Sequence, residues 1–407
     1  MATSMRPIRD TISLEGARAL ILESTRPLER TERITLSEAS GRVLAASATS
    51  AHDVPPFDRA AMDGYAVRAE DTFGAGKYEP KVLRSVEKIH TGQVPTRTVG
   101  AGECIEIATG APMPQGADAV VMVEETERDA SSANVRMFTP VYPRQNVGRR
   151  AADIAAGQTI LHQGDVLTPS RIGALAAAGV LEPEVYAKPR IAILSTGNEI
   201  VEPGRPLGPG QIYDINRFTL ASIIAAHGGT AVALPTVQDT LDALSAAIDS
   251  ALAEDLLVFS GGSSVGERDL IVDVLSRRGE VLFHGVAVKP GKPTVFGRVK
   301  DTPVLGMPGY PTSCLSNGYM LLVPVLRRMA RLPAYQPQVV KVPLARRIVS
   351  TTGRHQFYTV RIVDGAATPA FKASGDITSM AHADGYIEIP AQVDIVETGE
   401  LVDVKLF

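Results

Sequence analysis

The chain has 407 residues, 44% of them hydrophobic and 21% charged, with a formal net charge of −4. This is enough apolar material for a large core shared among two to four domains. The near-neutral, slightly acidic balance gives no global basic field, so generic nucleic-acid or membrane-surface binding is disfavoured and any anion site must be local.

The opening residues, "MATSMRPIRDTISLEGARAL", put polar and charged side chains where a secretory signal needs an apolar stretch, and no later segment approaches membrane-spanning length. A cytoplasmic protein is expected. Cys104 and Cys314 lie far apart and in no C-x-x-C, which points to buried free thiols rather than a disulfide framework or a thiolate metal site. Residues 11–24 and 36–47 carry Leu, Ile, Ala and Val at helical spacing. "HDVPPFDRAAMDGYAV" then breaks the pattern with Pro-Pro and Asp-Gly turn chemistry. From about residue 65 to 150, short β-rich pieces such as "KVLRSVEKI", "ECIEIATG" and "NVRMFTPV" alternate with Gly and Pro turns and predict a compact β domain. Helix returns at "TPSRIGALAAAGV".

From 188 to 332 strand and helix patterns alternate: "RIAILST", "NRFTLASIIAAHGG", "AVALPTV", "TLDALSAAIDSALAE", "LLVFSGG", "DLIVDVLSRRG". This predicts a parallel, doubly wound α/β sheet, whose ligands bind beyond the carboxyl ends of the strands. Three polar loops fall there: "STGNEIVEPG", "VQD" and "SGGSSVGERD". Beyond residue 335, "KVPLARRIVS", "RHQFYTVRIV", "YIEIPA" and "LVDVKLF" read as strands of a small tail domain resembling a β-barrel. The expected division is 1–54 with 151–187 as a discontinuous helical and mixed linker domain, 55–150 as the β-rich domain, 188–335 as the α/β domain and 336–407 as the tail.

In "SGGSSVGERDL" the residues Gly261, Gly262, Ser264 and Gly266 suit a phosphate-cradling turn at a helix start. Glu267 and Arg268 stand where a nucleoside-triphosphate P-loop needs Lys and Ser or Thr, so that reading is disfavoured. Asp269 either caps the following helix or holds a hydrated Mg²⁺ beside a phosphate. In "VAVKPGKPTVFG", Lys289 and Lys292 flank a rigid Pro-Gly turn that suits an oxyanion, or forms a solvated hairpin tip. "LGMPGYPTS" offers Thr312 and Ser313 as helix caps or oxyanion donors. Glu199, just past a strand end, is a metal ligand if it lies in a cleft and a surface acid otherwise. Asp58, Asp63 and Thr109 sit in turns that are unremarkable by themselves. The seven histidines form no paired ligand spacing, and no G-x-S-x-G elbow is present.

"PPFDRAAMDGYAV", "ATGAPMPQGADAVVMVEET", "ILSTGNEI", "GPGQIYDINRFTL", "SGGSSVGERD", "VAVKPGKPTVFG" and "LGMPGYPTS" together resemble, in order and rough spacing, the MoeA-like molybdopterin molybdenumtransferase family, which also includes the C-terminal domain of gephyrin. The resemblance covers nearly the whole chain. It implies a homodimer of four-domain protomers whose α/β domain houses the pterin-nucleotide site, walled by the partner's domain carrying "MDGYAV" and "TGAP". The implied reaction inserts molybdate, or tungstate, into adenylylated molybdopterin and releases AMP with Mg²⁺ assistance. A Mg²⁺ ion resolves the conflict between acids and a phosphate cradle in one loop. The resemblance also implies handover from a molybdopterin adenylyltransferase.

Carried over by motif, Glu199, Asp239 and Asp269 fall on the metal and phosphate side. Lys289, Lys292, Pro293, Pro308 and Ser313 line the pterin-phosphate and molybdate pocket. Asp63 and Thr109 come across the dimer, and Arg354 and Ser379 come from the tail as oxyanion contacts. The chain departs from the frequent family pattern at Asn198, Gly285, Tyr310 and Ser263, where many relatives have Asp, Lys, Asn and Val, which leaves the molybdate or tungstate preference open. Two other functions compete: the preceding adenylylation step, and a non-catalytic pterin-binding scaffold.

Overall fold

The computed structural model describes residues 8, 10–261 and 270–407. Of the expected phosphate loop, Gly262, Ser263, Ser264, Gly266 and Asp269 lie outside the described residues. The chain forms two compact units, Arg33–Val185 and the remainder, in which the residues up to Glu32 join Tyr186–Phe407.

The unit Arg33–Val185 is built on a six-stranded sheet in the order Ala119–Met122, Gly64–Val67, Glu103–Ile107, Lys81–Ile89, Asn134–Met137, Thr126–Arg128. Alternation along the strands buries both faces. Tyr65, Val67, Cys104, Val121 and Met137 pack on one side, and Ala66, Ile105, Ile107 and Val120 on the other. The expected strands at 81–89 and 103–107 form as read and pair in parallel. The helix Pro169–Ala177 forms as well, capped where the Thr168 hydroxyl accepts from the Arg171 N–H.

The helix expected over 36–47 does not form. Only a 3-10 turn, Leu36–Glu38, appears, because Gly41 takes the left-handed conformation at φ +72° and reverses the chain. Val43 and Leu44 then bridge Val166 and Val185, and Leu44 packs with Leu161, Leu167 and Leu175 in a third core.

The larger unit contains a six-stranded sheet in the order Thr230–Ala233, Arg190–Ser195, Leu256–Ser260, Thr302–Met307, Val295–Val299, Glu280–His284. The first four strands are parallel, but Val295–Val299 runs antiparallel to both of its neighbours, so the sheet is mixed. Val299 pairs with Thr302 across two residues, Lys300 and Asp301, with Lys300 at φ +53°. A connection that short permits only an antiparallel hairpin. Helices Leu14–Glu23 and Asn216–Ala226 cover one face through Leu14, Ile21, Leu220 and Ile224. Helices Leu241–Ala251 and Leu270–Arg278 cover the other through Leu244, Ile248, Ile271 and Leu275. From Arg190–Ser195 the chain moves to the sheet edge and returns on the opposite side at Leu256–Ser260. The crevice between those two strand ends is the topological switch point, where α/β sheets bind ligands.

The tail forms a second sheet in the order Val288–Lys289, His355–Val363, Gly385–Ile389, Leu401–Leu406, Val339–Pro343. Its first strand comes from the lysine-bearing segment, paired in parallel with His355 and Gln356. Both cysteines are buried and free, and burial pushes each thiol up to about 12. Among the described residues no helix is long and apolar enough to cross a membrane.

Candidate functional site at the strand ends

Three loops meet beyond the carboxyl ends of the parallel strands. The Thr196 N–H donates to the Ser260 carbonyl at 3.1 Å, and the Val237 N–H to the Ser195 carbonyl at 3.3 Å. The Gly261 N–H donates to the Met307 carbonyl, also at 3.3 Å. "STGNE", "VQD" and the start of the glycine loop are thereby locked side by side. Gly261 has φ +104°, and a Cβ there would lie 2.6 Å from the Thr196 carbonyl oxygen, so this crossing of two backbones requires glycine.

The oxygens collected here are unusual. Ser195 Oγ, Thr196 Oγ1, Asp214 Oδ2 and Asp239 Oδ1 are all buried and make no well-formed hydrogen bond among the described residues, although the Thr196 hydroxyl lies beside the Asp239 carboxyl and Arg217 Nε lies 3.4 Å from Asp214 Oδ2. Buried polar atoms are ordinarily paired, so this group of under-satisfied oxygens makes the switch point the candidate binding site. Burial pushes the Asp239 carboxyl up from its ordinary value; the nearby Thr196 hydroxyl works the other way, and the charge of Glu199 adds to the rise. Glu199 itself is exposed, with its carboxylate beside the Gly197 backbone. Among the described residues no three His, Cys, Asp or Glu side chains form a metal-binding group. Of the expected acidic set, Glu199 lies near enough for its charge to act on Asp239, and Asp269 lies outside the described residues.

A carboxyl raised in the fold binds its proton more tightly there than in the unfolded chain, so its contribution to stability falls as pH rises through the raised value. Asp239→Asn is therefore expected to melt at a higher temperature than the parent at pH 8 in chelator-treated buffer. The gap should close below about pH 3, where the carboxyl is protonated in both the folded and unfolded states of the parent. An equal or lower melting temperature at pH 8 would show that the charge is compensated in the fold.

The lysine turn is not a solvated hairpin tip. Lys289 Nζ donates to Thr351 Oγ1 at 2.7 Å, and Lys292 Nζ donates to the Ile8 carbonyl at 2.7 Å, both partly buried. Asn317 holds the turn from behind: its Nδ2 donates to the Gly291 carbonyl at 3.0 Å and to Thr294 Oγ1 at 2.5 Å. Pro293 is half-buried beside it.

"PGYPTS" connects the two halves of the site. Pro308 is buried, and a Cβ at Gly309 would sit 3.4 Å from the Gly261 Cα. The helix Pro311–Asn317 follows, with Ser313 buried and Asn317 at its far end. Seven residues span about 10 Å, so this helix is a short strut with Gly309, beside Gly261, just before it and Asn317, on the lysine turn, at its end. Thr312 is committed elsewhere: its N–H donates to the Ser374 carbonyl and its hydroxyl to the Asp376 carbonyl, each at 3.1 Å. The same Asp376 carbonyl accepts from the Ser379 N–H at 2.9 Å, which brings Ser379 to this helix. Ser379 is 1% exposed and its Oγ has no partner among the described residues. Arg354 is half-buried in the turn that also holds Thr351, and its N–H donates to the Thr351 carbonyl at 3.3 Å.

Sequence reasoning missed three residues here. Asp214 is 4% exposed; its Oδ1 accepts from the Arg217 N–H at 3.0 Å, and Arg217 Nε lies 3.4 Å from Oδ2. Asn216 Nδ2 donates to the Gly309 carbonyl at 2.8 Å. Asn317 is the third. An Asp two residues before a helix start was the available signal for the first; the two asparagines act across long sequence separations that no local pattern reveals.

In the other unit, Asp63 and Thr109 are brought together as a pair. The Thr109 N–H donates to Asp63 Oδ1 at 2.7 Å, and this bond, with the Thr109 side chain adding to it, holds the Asp63 carboxyl below its ordinary value. Asp58 is structural, accepting from the Arg150 N–H at 2.7 Å.

Comparison with known proteins adds to this geometry. Residues 12–179 match the model of the MoeA N-terminal region, 192–328 that of a probable molybdopterin binding domain, and 341–407 that of the MoeA C-terminal region. A Mycobacterium tuberculosis protein named molybdopterin molybdenumtransferase 2 is 36% identical over 95% of this chain and 96% of its own length. The chain belongs to the MoeA family. A Nostoc MoeA-family relative, named molybdopterin molybdenumtransferase, is 32% identical over 98% of this chain and 93% of its own. The crystal structure of a molybdopterin biosynthesis MoeA protein from Pyrococcus horikosii superposes with a TM-score of 0.83 at 39% identity, covering 98% of this chain and 99% of that one.

Two departures from the MoeA pattern have a structural account. Gly285 has φ +99°, and a Cβ there would press on Ile8 and lie 3.2 Å from the Asp10 carbonyl. The Ile12 N–H donates to the Gly285 carbonyl at 3.0 Å, so the incoming segment covers the place where a lysine would project. Tyr310 stands at the N-cap of its helix with no side-chain hydrogen bond and is 67% exposed, so the fold tolerates a bulky residue there. Asn198 is exposed and nothing in the fold accounts for it.

Proposed function

We propose that the protein is a molybdopterin molybdenumtransferase: it takes adenylylated molybdopterin and molybdate, joins the metal to the dithiolene sulfurs with loss of an oxo group as water, and hydrolyses the pyrophosphate link so that AMP leaves. One observation carries the reading. Buried oxygens of Ser195, Thr196 and Asp239 that make no well-formed hydrogen bond among the described residues lie near Glu199 at the switch point, and a single short helix joins them to two anchored lysines.

The oxygen-only donor set fits a hard divalent cation such as Mg²⁺. Asp239 and Glu199 would hold it, with Asp269 as a third acid. When bound, the ion polarises the phosphoryl group and offsets its charge. The chain's own residues do the rest. Lys289 and Lys292, fixed by Thr351 and Ile8, hold the substrate oxyanions in one geometry instead of waiting for a flexible side chain to find them. Ser313, Ser379 and Arg354 supply further oxyanion contacts, and the glycine loop with Gly261, Pro293 and Pro308 shapes the pocket. The Asp63–Thr109 pair completes the site from the partner protomer of a homodimer. A molybdopterin adenylyltransferase hands over the nucleotide, in the cytoplasm, and the oxyanion is molybdate or tungstate.

Incubating the purified protein with adenylylated molybdopterin, Mg²⁺ and molybdate tests this directly. AMP release that requires Mg²⁺ and falls at least tenfold in Asp239→Asn is the expected result. ATP consumption with free pterin would instead identify an adenylyltransferase, and silence with retained pterin binding a scaffold. Repeating the assay with tungstate sets the oxyanion preference.

A further inference from the structure

The larger unit has a second cleft, of about 610 Å³, that shares no residue with the site above. It opens between the helix Leu14–Glu23, the helix Val323–Met329 with the turn after it, and the tail sheet. Five cations line it, Arg18, Arg327, Arg328, Arg331 and Lys405, against one acid, Glu388. Tyr319, Tyr335 and Tyr386 supply aromatic walls.

The guanidinium groups are held in a common way. Arg18 Nε donates to the Met320 carbonyl at 2.7 Å, Arg327 Nε to Pro333 at 2.6 Å, Arg328 Nε to Thr25 at 3.2 Å and Arg331 Nε to Leu28 at 2.6 Å. One edge of each fork is thus pinned to the backbone, which orients the Nη edge; among the described residues that edge meets a carboxylate in Arg331 and Arg18 but not in Arg327 or Arg328. Glu388 is largely spent on Lys405, at 2.6 Å, and lies 3.8 Å from Arg18; Arg331 pairs with Glu29. Arg327 and Arg328 have no carboxylate partner among the described residues, and burial pushes Arg327 down from its ordinary value. Two arginines at a helix C-terminus are explained by the helix dipole alone. The dipole does not explain why Arg18, Arg331 and Lys405, from other elements, gather around the same tyrosine-lined hollow.

We propose that this cleft binds a mononucleotide-class ligand, a phosphate monoester bearing an aromatic ring. Its volume suits a small molecule rather than an extended chain. The Nη edges of Arg327 and Arg328 suit phosphate oxygens, and the tyrosine rings suit a flat heterocycle. The assignment does not depend on the reaction proposed above.

AMP is the probe, and calorimetry on the full chain the measurement. Because AMP also belongs to the proposed transferase site, titrations are run on Lys289→Ala/Lys292→Ala, where binding at the second cleft should persist. In that background Arg327→Gln should weaken AMP about 10- to 100-fold. Arg328→Gln, at an exposed position, is measured alongside in case loss of the Pro333 anchor unfolds the first variant. Tyr335→Leu should abolish the preference for AMP over ribose 5-phosphate. Loss of all AMP binding in the lysine variant, or affinity unchanged by both arginine substitutions, overturns the proposal, as does an acidic peptide displacing AMP while ribose 5-phosphate does not.

Discussion

A chain carrying Lys289→Met and Lys292→Met is expected to release AMP from adenylylated molybdopterin at least 100-fold more slowly than the parent while still melting cooperatively a few degrees lower. The rate effect follows from removing two preorganised charges from the place where anionic oxygens must sit, a change ordinarily costing about 10²–10³ in rate per well-placed donor. The modest stability effect follows from what each ammonium does in the fold. Lys289 donates to the Thr351 hydroxyl and Lys292 to the Ile8 carbonyl, and losing each bond costs about 1–2 kcal/mol, while methionine preserves the packing of the stem. The single variants separate the two roles: if binding and insertion are divided between the lysines, one substitution will raise KM and the other will lower kcat. Undiminished AMP release in the double variant would remove the lysine turn from the chemistry and leave it as a brace between the α/β sheet and the tail.

That brace explains why parts of the site were legible in the sequence and others were not. Strands such as Lys81–Ile89 and Arg190–Ser195 announce themselves because β-branched and apolar residues run together between turn signals, the second as the continuous buried run of a parallel strand. The strand–loop–helix order then places "STGNE", "VQD" and the glycine loop at one end of a sheet before any contact is known. The 36–47 segment has helical spacing too, but Gly41 and the distant partners Val166 and Val185 outvote it. The hairpin at Lys300 and Asp301 turned a sheet expected to be parallel into a mixed one, because two connecting residues leave no room for a crossover. The lysine turn read as ambiguous for the same reason: its strand, Val288–Lys289, finds its partner at His355 and Gln356, far along the chain. Local pattern specifies elements, whereas the under-satisfied oxygens and the Asn317 clamp arise only when elements meet.

The clamp yields the other large effect. Gly291→Ala is expected to lower stability by about 3 kcal/mol or more and to cut AMP release along with it, whereas Gly41→Ala should cost about 1–2 kcal/mol and leave activity unchanged. Both glycines have positive φ, +106° at Gly291 and +72° at Gly41, so alanine pays a backbone penalty at each. They differ in surroundings. A Cβ at Gly41 meets nothing within 4 Å, while one at Gly291 would lie 2.6 Å from Asn317 Nδ2 and 2.7 Å from its Cγ. Asn317 is fully buried and cannot swing away, since its Nδ2 is tied to the Gly291 carbonyl and to Thr294. The turn must therefore move, and Lys289 and Lys292 move with it. Thermal melts of the two variants measure the difference directly. Equal losses would mean that Asn317 yields without cost and that the lysines owe their position to Thr351 and Ile8 alone.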